Sequence, residues 1–309
     1  MPLYSYESAL ATSQKINWMI DDILRSDDRF DFSRPFMPES LAHSAGFDFL
    51  SKDEALTLNQ IRAHTYLSIF GLVEEFILPF VLDHARPRLA DDDWRTRALL
   101  QFAGEEAKHM QLFKRFRDIF EGSFGSRCEV IGPAADIAKA VLAHDTLGVA
   151  LAVLMIEWMS QRHYLESIKD DGALEPRFKS LLRYHWMEEA QHAKLDALMV
   201  EAIADGLSIE ARERGVEAYL AIGKLLDDGL VQQVEFDLAA LERKIGRTLS
   251  SSQRTTFRNV QLQANRWTYI GSGMTHPKFL ESLANVLPSA RVQIEGVAPA
   301  FFPVEPVAV

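Results

Sequence analysis

The chain has a single cysteine, Cys128, in 309 residues. An internal disulfide framework is therefore excluded, and a lone thiol, more simply buried or incidental than nucleophilic, fits a reducing compartment. Positive charge is also scarce: 33 Lys and Arg stand against 44 Asp and Glu, a formal net charge of −11, with no basic stripe. A phosphate backbone or an anionic bilayer needs clustered cations, so neither nucleic acid nor a membrane surface is expected as a partner. No basic segment followed by an apolar core opens the chain, and no run attains the roughly 18 apolar residues of a bilayer span. The expectation is a cytoplasmic protein. No stretch alternates with the period of a strand.

What remains is helical period nearly throughout, in a chain that is 48% apolar and 25% charged and so has ample material for a core. We expect an all-α fold forming one domain over 1–309, with a four-helix core at 52–206, accessory helices at 207–285 and an extended, proline-bearing tail at 286–309. A short helix precedes the core at 5–25. Ser51-x-x-Glu54 is a capping-box signature for a long helix running to about Pro87, with Pro79 expected to bend it. Asp91 is placed as the cap of the second helix, about 92–121, and the glycine-bearing stretch from Gly122 to Pro133 reads as a loop. The third core helix is placed at about 134–170 and the fourth at about 175–205, ending at Asp205-Gly206. Further helices are expected at 208–246 and, from the box Ser250-x-x-Gln253, at 251–273.

The chemistry lies in a repeat. Glu105-Glu106-Ala107-Lys108-His109 recurs as Glu188-Glu189-Ala190-Gln191-His192, each inside a helical segment. At 3.6 residues per turn, positions i and i+3 share a face, so Glu106 with His109 and Glu189 with His192 each offer a carboxylate and an imidazole to one point. Glu75 and Glu157 precede these pairs by 31 and 32 residues, making two pseudo-symmetric hairpins. Packed together, they would bring four carboxylates and two imidazoles to the bundle centre, the donor set of a di-iron or di-manganese site. Glu157 sits in the apolar run from Val149 to Met159, where an unpaired carboxylate costs several kcal/mol, so it wants a metal or a cationic partner. Glu74 is the alternative to Glu75; aligning 72–77 with 154–159 puts an aromatic after the glutamate in both and selects Glu75. His185 stands four residues before Glu189 and seven before His192. Rotations of about 400° and 700° keep all three on one face, as a third imidazole ligand or as a core histidine beside the site.

This arrangement resembles the ferritin-like di-iron oxygenases, and with His185 the set Glu75, Glu106, His109, Glu157, His185, Glu189 and His192 is similar to the seven-ligand pattern of the p-aminobenzoate N-oxygenase family, over roughly 60–200. The resemblance implies a ferritin-like four-helix bundle with added terminal helices, two iron ions (manganese being possible), dioxygen and a small amine as substrates, an external electron donor and a homodimer. It also implies that Glu105 and Glu188 hydrogen-bond a ligand histidine of the opposite hairpin; Asp196, four residues beyond His192, is a rival partner by its spacing. The alternatives are a di-iron hydroxylase, desaturase or oxidase on another hydrophobic molecule, and, less favoured, iron storage or a manganese catalase. Candidate pocket residues are Leu67 and Gly71 on the first core helix, Phe102, Ala103 and Phe113 on the second, Val153 and Leu154 on the third, and Tyr184 on the fourth. Gly71, one turn before the glutamates, is expected to leave room for substrate or oxygen.

Overall fold

A computed structural model describes residues 4–91 and 93–303, and among them every regular element is helical. Three short helices lead in: α1 (Tyr6–Ser13), α2 (Ile20–Ile23) and α3 (Glu39–Ala42). The core follows as α4 (Lys52–Ala85), α5 (Trp94–Phe124), α7 (Thr146–Arg162) and α8 (Pro176–Ala204), with α6 (Ala134–Leu142) between its halves. The helices pair as α4 with α5 and α7 with α8, the two hairpins read from the repeat.

Local chemistry sets the ends. The Ser51 hydroxyl accepts from the Glu54 amide at 3.3 Å while Glu54 accepts from the Ser51 amide at 2.8 Å, closing the expected capping box on α4. Asp93, not Asp91, caps α5 by accepting from the Thr96 amide at 2.7 Å. That helix runs three residues beyond its expected end, to Phe124, and stops at Gly125, whose φ of 73° suits a residue without a Cβ. The helix expected at about 134–170 is two. Residues 143–145 break it, and Asp145 starts α7 by accepting from the Leu147 amide at 2.9 Å.

By length and composition the α4 helix could cross a membrane, contrary to the expectation that no segment would, but 72% of its most apolar window is buried inside the fold. It is a core helix. The α7 helix is apolar on nearly every side because it is covered on every side. Its inner face joins the bundle, and its outer face meets the long helix α9 (Ile209–Ile245). That crossing is close: a Cβ on Gly148 would stand 2.5 Å from the Ala218 Cβ, and one on Gly215 would stand 2.6 Å from Leu147.

Then α10 (Ser251–Arg266) continues through a π-helical turn at Trp267–Gly271 into α11 (Ser272–Met274). The last of the expected accessory helices is α12 (Pro277–Val286), but over the described part of the stretch expected as an extended tail, 286–309, the chain instead forms α13 (Pro288–Val297) and a 3-10 turn at Ala298–Phe301; together they bury Phe279, Leu283 and Ile294. Pro277 and Pro288 stand in the first turns of their helices, where a missing amide hydrogen costs nothing. Residues 304–309, Pro306 among them, lie outside the described residues. Similarly, the leading helix placed at 5–25 is the pair α1 and α2, separated by residues 14–19.

Candidate metal centre

Each core helix contributes donor atoms to one buried point. Glu106 and His109 come from α5, Glu157 from α7, and His185, Glu189 and His192 from α8; all are at most 5% exposed. Two overlapping groups have ligand atoms within 4.8 Å of one another: Glu74, His109, His185 and Glu189, and Glu106, His109, Glu189 and His192. The imidazole at 185 is thus inside the cluster rather than elsewhere in the core. Glu189 is central, its Oε1 lying 3.1 Å from His109 Nδ1, 3.1 Å from His185 Nε2 and 3.4 Å from His192 Nδ1. The Glu157 carboxyl stands against that of Glu189 and, being the one that keeps its proton, is the donor of the pair.

The glutamate that α4 supplies is Glu74, not Glu75. Glu74 is 2% exposed, with Oε1 3.6 Å from His185 Nε2 and 3.7 Å from His109 Nδ1; Glu75 is half-buried, outside both groups. The alignment that selected Glu75 assumed equivalent aromatics. They differ: Phe76 is fully buried, whereas Trp158 is half-buried and stacks on His276 at 4.9 Å. The spacing held a better signal, because Glu74 to Glu106 and Glu157 to Glu189 are both 32 residues.

The donor set fits a pair of divalent cations. Buried polar atoms ordinarily find partners, yet Glu74 Oε2, both Glu106 oxygens, His109 Nδ1, Glu157 Oε2, Glu189 Oε1 and His192 Nδ1 have none with hydrogen-bond geometry. They converge where a cation would satisfy them. Four carboxylates against two divalent ions also balance in charge, and an oxygen-rich set with imidazoles suits iron or manganese. With protein groups alone the site distributes protons uncomfortably. Burial, with the Glu106 charge, pushes the Glu74 carboxyl up to about 8, and burial with Glu189 raises Glu157 well above the usual range. Burial would also raise Glu189, but His185 and His192 outweigh it and hold that carboxyl well below. Burial disfavours charge on His109 and His192, yet their carboxylate partners raise both well above the usual imidazole range. Metal binding would replace these protons.

The outer nitrogens of the two imidazoles are held as the resemblance implied. His109 Nε2 lies 2.8 Å from Glu188 Oε2 on α8, and His192 Nε2 lies 2.8 Å from Glu105 Oε2 on α5. Each carboxylate accepts an N–H, which leaves Nδ1 as a lone pair facing the cluster. Asp196 takes no part in this: it is buried, and neither oxygen has a hydrogen-bond partner.

Among the other supporting groups, Phe102 and Phe113 are residues expected at the pocket, whereas Ser13, Trp18 and Gln101 carry no sequence signal. Glu105 also accepts from the Ser13 hydroxyl of α1 and, at 2.9 Å, from Gln101. Lys108 bonds Glu188 and lies 3.7 Å from the centroid of Trp18, whose ring stacks on His109 at 6.0 Å. Phe102 stacks on His192 at 3.9 Å, and Phe113 meets His185 edge-on at 5.0 Å. Gly71 leaves room for a methyl group and no more on the side of Phe113, which lies 3.7 Å from where its Cβ would be. Beside the cluster a polar chain joins three helices: Tyr66 O–H donates to His163 Nδ1 (2.9 Å), His163 Nε2–H to Ser272 Oγ (2.9 Å), and Ser272 to the Thr268 carbonyl (3.2 Å). Burial, helped by Arg162, lowers the His163 imidazole to about 3, so it stays neutral.

A cavity of about 300 Å³ opens between α4, α7 and α9, lined by Ile69, Phe70 and Val73, by Ile156 and Met159, and by Leu226, Leu230 and Tyr269 among others. Val73 and Ile156 immediately precede Glu74 and Glu157, and the Phe70 ring lies 5.6 Å from that of His185.

The family model described as p-aminobenzoate N-oxygenase AurF matches residues 5–248, a stretch that contains every donor. No curated protein sequence matches. Among solved structures the chain is similar to R2-like ligand-binding oxidases. One is a variant with an aerobically reconstituted Mn/Fe cofactor, at 15% identity, covering 86% of this chain and 93% of that one with a TM-score of 0.45. Another is a variant with an aerobically reconstituted Fe/Fe cofactor, at 15% identity, the same two coverages and a TM-score of 0.43.

Proposed function

The chain belongs to the p-aminobenzoate N-oxygenase family, and from that premise we propose that it N-oxygenates a small organic amine. It is a non-haem di-iron oxygenase that uses dioxygen. The observation that carries the reading is the convergence of Glu74, Glu106, Glu157 and Glu189 with three imidazoles, His109, His185 and His192, on one dry point. When bound, the metal pair supplies the two-electron reduction of dioxygen. The protein's share is placement. Glu105 and Glu188 hold the Nε2–H of two imidazoles and so aim both Nδ1 lone pairs inward. Phe70, Phe102 and Phe113 wall the histidines and keep water from them. The apolar cavity behind Glu74 and Glu157 is the place for an organic molecule to wait beside the centre. An external electron donor, a homodimer and a cytosolic setting complete the proposal, the last supported by the lone buried Cys128.

The test is reconstitution with ferrous iron. Two irons per chain by elemental analysis, oxygen uptake dependent on an arylamine, and a hydroxylamino or nitro product carrying label from ¹⁸O₂ are expected. Oxygenation only at carbon would favour a di-iron hydroxylase, and tens of irons per chain would indicate storage.

A further inference from the structure

The cavity between α4, α7 and α9 contains information about the charge of what enters it. Its interior is hydrocarbon and aromatic, from Ile69, Phe70, Ile156, Met159 and Leu230. At about 300 Å³ it is at the small end of ligand sites, which run from about 300 to 1,000 Å³, and would hold a single substituted ring. Two polar side chains stand at the solvent end, Asp228 and Gln232, both exposed. Among the described residues no Lys, Arg or His lines it. Lys224, one turn before Asp228 on α9, is engaged with both oxygens of that carboxylate at 2.8 Å. Deeper in, Tyr269 lines the cavity, is 5% exposed, and its hydroxyl has no hydrogen-bond partner in the protein.

An aminobenzoate would have to bury its carboxylate in this space against apolar walls, with an acidic side chain at the entrance. The Arg62 guanidinium, whose charge reaches Tyr269, is already engaged with Asp237 at 3.5 Å and with Asn265, and desolvating a carboxylate without a free cation is strongly unfavourable. A neutral ring meets no such penalty, and one acceptor on it would satisfy the orphaned Tyr269 hydroxyl, which a buried group of this kind requires. We propose that this chain takes a neutral aromatic amine rather than an anionic aminobenzoate, seated in the α4–α7–α9 cavity with a polar substituent accepting from Tyr269. The inference rests on the amine N-oxygenase reading and narrows its substrate class.

The test compares p-aminobenzamide with p-aminobenzoate, which share ring, amine and size but differ in charge at pH 7.5. Each is titrated calorimetrically into the full-length, ferrous-loaded protein without oxygen. The amide is expected to bind at least tenfold more tightly. Tyr269→Phe is expected to weaken the amide severalfold and leave aniline, which has no acceptor for the hydroxyl, unchanged. Gln232→Arg, on the exposed entrance where folding is not at stake, is expected to narrow the gap by strengthening p-aminobenzoate. Equal or tighter binding of p-aminobenzoate, no binding of either compound, or an amide affinity indifferent to Tyr269→Phe would overturn the inference. Admitting oxygen separates the two levels. If p-aminobenzoate is the better bound and is N-oxygenated, the charge inference falls and the parent reading stands; if the amide binds as expected but its nitrogen is never oxidised, the cavity assignment stands and the parent reading falls.

Discussion

His109 on α5 and Glu188 on α8 are joined at 2.8 Å, and the same contact is made in reverse by His192 and Glu105. Each ExxH helix therefore orients the other's imidazole, and the acidic residue preceding each metal-facing glutamate belongs to the opposite half of the site. Such partners are worth roughly 10–100-fold in metal affinity. Glu188→Ala is expected to weaken iron binding by that order in competition with a chelator. Glu105→Ala should do the same. Wild-type affinity in both variants would refute the orienting role.

Glu74 and Glu75 make a sharper pair because they are neighbours of the same type. Glu74→Ala is expected to reduce iron from two per chain toward one and to abolish oxygen uptake. Glu75→Ala, at a half-buried position outside the cluster, should keep both irons. Elemental analysis of the two purified variants decides between them, and the reverse result would return the ligand to Glu75.

Two glycines separate close packing from idle space. At Gly148 a Cβ meets the Gly215 carbonyl at 2.9 Å as well as Ala218, so Gly148→Ala must push α9 off α7. Overpacking of this kind costs about 1–3 kcal/mol, and Tm should fall by several degrees. At Gly71 a Cβ finds Phe113 at ordinary contact distance, 3.7 Å. Gly71→Ala should be neutral or stabilising by roughly 0.5–1 kcal/mol, since glycine in a helix interior is the less favourable residue. Calorimetric scans of both variants check the contrast.

Buried neutral histidines set one part of the acid response. Burial and Arg162 hold His163 down at about 3, and burial with Arg162 and Lys278 holds His276 down at about 4, against an ordinary value of 6.5. Between 6.5 and these values the unfolded chain binds more protons than the folded one, so stability is full above pH 6.5 and falls as pH drops through that window. Each group contributes at most about 1.4 kcal/mol per pH unit, with less from the half-buried His276. His163→Gln should make the loss of unfolding free energy between pH 6.5 and 4 shallower than in the wild type. Denaturant titrations across that range measure it, and an identical slope would defeat the assignment.

Much of the site was legible because its signals are periodic. The i, i+3 and i, i+4 spacings of Glu106, His109, His185, Glu189 and His192 fix a helical face whatever the packing. The capping boxes at Ser51 and Ser250 satisfy amides locally and so announce their helices. The failures arise where local rules permit two outcomes. Adjacent glutamates point about 100° apart, and choosing between them needs the roll of α4 against its neighbours. Proline opens a helix as readily as it interrupts one, so Pro288 is equally compatible with a tail and with α13. The break after Leu142 lies in a run whose composition suits helix throughout, and nothing in the residues around Asp145 marks it as the cap that it is. Ser13, Trp18 and Lys108 reach the histidines' carboxylate partners through tertiary placement alone.

The cavity draws part of its wall from donor-bearing helices and part from outside them, Ile131, Gly132 and Ile137 included. Ile69, Phe70 and Val73, with Ile156 and Met159, come from helices that carry metal donors, whereas Leu226, Leu230 and Tyr269 come from beyond residue 206, where no donor lies. The molecule thus divides its labour along the chain. All the donors lie in the earlier part, so on the proposed use of the cavity exchanges at Leu226 or Tyr269 would retune which compound is admitted without replacing a ligand. Evolution, or an engineer, would then have a specificity dial on a separate stretch of chain from the redox machinery.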